Sequence, residues 1–168
     1  MAYDFLVWLF GGGITALIAF LPIQLSYQNN ELHIEARLSN PITSETRKLV
    51  SKGFIFGIDY DCTVIINDVK TFERTMSNKV SYNESQWIVN ERPVQEPQVQ
   101  TVEGNARFIF DKFKFDEGDE MIVYVKALIM PDSLFTSSTG LKTSILWNYY
   151  EPRYEKKFVF HSGAFIIQ

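Results

Sequence analysis

The sequence predicts a mainly β protein: an antiparallel β-sandwich of about seven strands with one or two short helices, preceded by one transmembrane helix. Three observations carry this expectation. The run Phe5–Ile23 holds no charged side chain. From Phe54 to Ile66 apolar and polar residues alternate, the period of a strand with one wet face. Aromatic residues make up 15% of the chain, 14 of them Phe and eight Tyr, and such side chains pack better on a pleated surface than in a helical bundle.

The apolar run comes first. FLVWLFGGGITALIAFLPI would span about 28 Å as a helix, close to the ~30 Å hydrocarbon core of a bilayer. In lipid a helix is the one local way to pair every backbone amide. The leader Met1-Ala2-Tyr3-Asp4 lacks the Lys or Arg of a cleaved signal peptide, and Leu25-Ser26-Tyr27 offers no small-residue cleavage site. No cysteine stands near its end for lipidation. Gly11, Gly12 and Gly13 form a smooth patch on which another membrane helix could pack, although glycine is also simply common in such helices. Trp8 and Tyr27 sit near the two ends as interfacial aromatics would. Residues 1–26 are therefore expected to be an anchor. Residues 27–168 are expected to form one domain, large enough to bury a core without staples.

Within the domain, Leu32, Ile34, Ala36 and Leu38 alternate with His33, Glu35 and Arg37, a strand that Asn29-Asn30 precedes as a turn. Asn40-Pro41 breaks it. Thr43–Lys52 reads as a short helix, with Thr43 or Ser44 as cap and Gly53 at the left-handed C′ position. The Phe54–Ile66 strand follows, then a turn at Asn67-Asp68. Strands over Val69–Tyr82 and Ser85–Asn90 are joined around Asn83-Glu84. The stretch RPVQEPQVQ, Arg92–Gln100, is an irregular connector. Thr101–Phe113 is ambiguous: Phe108 and Phe110 suggest a strand, but Val102, Ala106, Ile109 and Phe113 follow helical spacing, and a short helix is expected. After the turn Asp116–Asp119, Glu120–Met130 is apolar on both faces and belongs at the middle of a sheet. Leu141–Tyr150 and Glu155–Phe160 form a final pair around Glu151-Pro152, and Ala164–Ile167 adds a short last piece.

Little of the composition points to chemistry. The net charge is −4 and no basic cluster exists to displace counterions from phosphate, so nucleic acid is not an expected partner. The one cysteine, Cys62, lies in register with Tyr60 and Val64 and reads as a buried thiol. Two distant histidines, His33 and His161, supply neither a zinc site nor a base beside a nucleophile. Asp116, Glu117, Asp119 and Glu120, joined by Asp59 and Asp61, could line an acidic cleft, the arrangement a hydrolase would need. No metal, cofactor or catalytic residue is expected. The exposed-aromatic segment is more suggestive: Trp147, Tyr149 and Tyr150, followed by Tyr154, are candidates for a partner-binding patch, since Trp and Tyr are enriched at interface hot spots.

The order ELHIEARL, TSETRKLVSKG, GFIFGIDYDCTV, then PDSLF and ILWNYYEP resembles an uncharacterised bacterial family of envelope proteins with an N-terminal anchor and a β-rich domain of unknown function. The resemblance implies location and fold, with no activity to carry over. The expectation is a non-enzymatic interaction or structural subunit of an envelope complex. It is anchored once in the bacterial inner membrane, with its domain in the periplasm and other envelope proteins as partners. A carrier of lipid or another apolar ligand is the alternative, and a hydrolase the third reading.

Overall fold

The computed structural model describes residues 19–39, 44–53, 55–95, 104–131 and 151–168. Within them the fold is mainly β, with two antiparallel sheets and a single short helix. The strands are β1 (Gln24–Gln28), β2 (Glu31–Arg37), β3 (Phe56–Ile66), β4 (Lys70–Asn83), β5 (Gln86–Val89), β6 (Arg92–Val94), β7 (Asn105–Phe110), β8 (Glu120–Pro131), β9 (Arg153–His161) and β10 (Ala164–Ile167). The helix, α1, is Ser44–Ser51. A small sheet runs β1-β2-β7, and a large one β10-β9-β8-β3-β4-β5-β6.

Local chemistry sets most of these boundaries. Asn29-Asn30 and Asn67-Asp68 take left-handed backbone angles, which short polar side chains tolerate, and turn β1 into β2 and β3 into β4. Gly53, at φ +97°, follows α1, and its N–H donates to Val50 O at 2.9 Å. The β4–β5 hairpin is less well matched. Its turn falls on Glu84-Ser85, one residue beyond the expected place, with φ +48° and +66° on residues that pay steric strain there. The double substitution Glu84→Asn/Ser85→Gly supplies the pair that this turn favours, and should stabilise the fold by about 1 kcal/mol in urea unfolding.

The alternation in β3 is realised without exception. Phe56, Ile58, Tyr60, Cys62, Val64 and Ile66 are buried, and the residues between them are half-buried on the outer face. β3 pairs with β8 over its full length, from Phe56↔Pro131 to Ile66↔Met121, which places the doubly apolar β8 inside the large sheet as expected. Inward residues of both sheets meet in one core. Leu32, Ile34 and Ala36 of β2 and Ala106, Phe108 and Phe110 of β7 lie with the inner faces of β3, β8 and β9. A second cluster joins Val50 of α1 to Phe56, Val80, Trp87 and Val89, so the helix covers a part of the large sheet that the small one leaves bare.

Several expectations change. Asn105–Phe110 is a strand, not part of a helix over Thr101–Phe113. Ala106, Phe108 and Phe110 point inward by period two, and the free edge of β2 takes β7 as partner from Leu32↔Phe110 to Arg37↔Asn105. Pairing with a distant strand overrides the local helical spacing. Arg92–Val94, expected to be irregular, is a three-residue edge strand on β5. Glu155–Phe160 does belong to a strand, but β9 lies between β8 and β10; the expected partner, Leu141–Tyr150, lies outside the described residues. The described strands number ten rather than about seven.

Candidate functional site

The two ends of the sheets differ. At one end lie the turns Asn29-Asn30, Asn67-Asp68, Asp116–Gly118 and Ser162-Gly163, beside the pair Ile66↔Met121. The opposite end, beyond Phe56↔Pro131 and Arg37↔Asn105, is where the chain enters at Ala19 and where the stretches after Ser39, Val94 and Pro131 leave the sheets. The candidate site is this second end.

Its best-defined part is the junction with the apolar run. Ala19–Ile23 was expected to complete a membrane helix, but it is not helical. Phe20 bridges Leu38, and Leu21 N–H donates to Arg37 O at 2.8 Å. Ser39 N–H donates to Ala19 O at 2.8 Å, while Ser39 Oγ accepts from Ala19 N–H at 3.2 Å and donates to Ala19 O at 3.1 Å. β1 then begins at Gln24. The last residues of the run are thus zipped onto β2. Phe20 and Ile23 pack against the core, and Leu21 stays 45% exposed beside them.

The expected partner-binding residues separate here. Trp147, Tyr149 and Tyr150 lie outside the described residues, as do Gly11, Gly12 and Gly13. Tyr154 alone of the four is described. It is half-buried against the core, burial pushes its phenol up, and a hydrogen bond with the Ile23 backbone opposes that shift. Tyr154 ties β9 to the junction.

The acidic residues do not converge. Asp59 accepts from Ser77 Oγ at 2.6 Å and Asp61 pairs with Lys126 Nζ at 3.1 Å, both on the outer face of the large sheet. The Asp116–Glu120 corner lies about 20 Å or more further along β3, at ~3.3 Å per residue. That corner is held by its own bonds. Asn67 Nδ2 donates to Asp119 Oδ1 at 2.8 Å, and Asn67 Oδ1 accepts from Glu120 N–H at 2.9 Å. The Asn67 amide, the Asp116 backbone and nearby Lys70 hold the Asp119 carboxyl below its ordinary value. Glu117 pairs with His161 and accepts from Ser162 N–H. Among the described residues, no three His, Cys, Asp or Glu side chains are grouped to hold a metal ion. Further ion pairs lie across and along the strands. Lys157 meets Glu120 at 2.7 Å, and Arg153 beside Glu151 holds that carboxyl below the usual range.

Cys62 is fully buried, and desolvation pushes its thiol up to about 12. Thiol reagents at pH 8 should therefore modify it only when the chain unfolds, at the rate set by denaturant. The buried neutral thiol favours the folded state below the ordinary value of 9.0, and that contribution is lost as pH rises from there towards about 12.

The chain matches no protein-family model, and no curated protein or solved structure shows significant similarity to it. The envelope-family resemblance therefore rests on the quoted residues alone. Aromatic side chains of the core pack on one another. Tyr27 meets Phe115 and Phe160 edge-on at 5.2 and 5.6 Å, and Phe115 meets Phe165 at 5.0 Å. Sequence reasoning missed the zipped junction because the run's apolar composition continues unchanged through Ile23. A usable signal was present in Gln24–Gln28, where Leu25 and Tyr27 alternate with polar residues.

Proposed function

We propose that this chain is a membrane-attached, non-enzymatic interaction or structural subunit of the bacterial envelope. Its β-sandwich stands on the periplasmic face of the inner membrane and presents its junction end to the bilayer. The observation that carries the reading is the zipped junction. The apolar run passes into the small sheet with no linker, so whatever holds the run also fixes the orientation of the domain. Among the described residues no helix is long and apolar enough to cross a membrane. The uncharged stretch ahead of Ala19, Phe5–Ile18, would reach only about 21 Å as a helix, against a core of ~30 Å. A transmembrane placement then draws Phe20 and the half-exposed Leu21 into the interfacial layer. The envelope assignment itself comes from the resemblance.

The test is fractionation of cells making the full chain. Retention in the membrane pellet through alkaline carbonate, with an impermeant maleimide reaching Thr75→Cys from the periplasm, supports the reading. Recovery of a chain trimmed near Ala19 in the aqueous phase sinks it.

A further inference from the structure

A protease takes its substrate as an extended strand, pairing with the backbone groups around the bond it cuts. At the junction such a strand lies close to the surface. Leu21 and Pro22 are exposed, so depth does not hide it. A small residue late in an apolar run, such as Ala19, is also where cleavage frees an exported domain. Yet the backbone is engaged on both sides of the Ala19–Phe20 bond. Both polar groups of Ala19 go to Ser39: its N–H donates to Oγ at 3.2 Å, and its C=O accepts from Ser39 N–H at 2.8 Å and from Oγ at 3.1 Å. Leu21 N–H donates to Arg37 O, and Phe20 between them bridges Leu38 and packs on the core. Leu38 N–H donates in turn to Gly104 O at 2.7 Å, so Ser39 follows a strand that β1 and β7 hold from both sides.

We propose that Ser39 is a clamp that keeps the domain attached, by withholding the Ala19–Phe20 bond from proteases on the side the domain faces. Hydrolysis there adds water across the amide, leaves a carboxylate on Ala19 and an amine on Phe20, and parts the domain from the run. It proceeds only once Ala19–Leu21 has peeled from Arg37–Ser39 and the Phe20 ring has left the core. Its rate therefore follows the population of that local opening. The clamp has this role if the run is held in the membrane as proposed above.

The test digests the full chain, in membranes opened so that both faces are reached, with thermolysin, which cuts ahead of large apolar residues. Fragments that begin at Phe20 or Leu21 are followed by mass spectrometry. Ser39→Ala removes the hydroxyl and both of its bonds to Ala19, and should speed these cuts about tenfold. Ser39→Thr keeps a hydroxyl and should be cut at the rate of the unaltered chain. Phe110→Leu loosens the opposite end of β2, about 20 Å from Ser39 at ~3.3 Å per residue, and should also leave the rate unchanged. Equal rates in all four chains overturn the clamp. A rise in Phe110→Leu as large as in Ser39→Ala overturns it too, because the cut then follows unfolding of the whole domain. Carbonate extraction of undigested samples reports attachment separately. A chain that leaves the pellet overturns the attachment, and the retaining role with it, whatever the rates.

Discussion

Phe110→Ala should destabilise the domain by about 3–5 kcal/mol, a large share of the ~5–15 kcal/mol that holds a typical domain folded. Phe110 is 1% exposed at the end of β7, where it pairs with Leu32 on β2. Its ring meets Phe113 edge-on at 5.7 Å, and the Arg74 guanidinium lies over its face at 5.4 Å. It therefore joins the small sheet, the segment after it and β4 at one point. Truncation removes the transfer energy of the ring and leaves a cavity that three elements cannot all close. The loss should appear as a lower urea midpoint with an unchanged slope. Phe110→Leu keeps more of the volume and should cost roughly half as much. Val69→Ala, at a position 82% exposed on the β3–β4 turn, should change almost nothing.

The contrast between these positions shows what was legible beforehand. The β3 pattern, the turns at Asn29-Asn30 and Asn67-Asp68, the α1 boundary at Gly53 and the inward Cys62 follow from the local chain, and the structure places all of them as read. β7 does not follow locally. Its four-residue spacings fit a helix, and only the distant β2 edge decides for a strand. β1 was hidden because its apolar residues, Leu25 and Tyr27, adjoin an apolar run. The junction end was equally hidden. Ala19 meets Ser39 and Ile23 meets Tyr154 across separations that no window on the sequence spans. Tyr154 reads as an exposed aromatic from its neighbours, yet the register of β9 turns it inward.

Asn78→Leu should cost about 1–3 kcal/mol, although it replaces a polar residue in the core with an apolar one. Asn78 is 1% exposed on β4, the lone buried polar side chain among the described residues. Its Nδ2 donates to Asn105 O at 3.1 Å, across to the small sheet, and its Oδ1 accepts from Asn90 Nδ2 at 2.9 Å. Asn90 in turn accepts from Lys79 N–H through Oδ1 at 2.8 Å, from the left-handed turn between β5 and β6. Leucine strands Asn105 O, and an unsatisfied buried group costs about 1–3 kcal/mol, whereas the exposed Asn90 can turn its Nδ2 to water. The turn between β5 and β6 loses one tie to β4 as well. Asn105→Ala is the matching control. Asn105 Oδ1 is buried without a partner, so its removal breaks no bond there and should cost under ~1 kcal/mol. If the two variants unfold at the same urea concentration, the side-chain chain from β7 through β4 to the β5–β6 turn contributes nothing to holding the sheets in register. If Asn78→Leu falls well below Asn105→Ala, the contact between the sheets is set by that polar pair as well as by the apolar core around it.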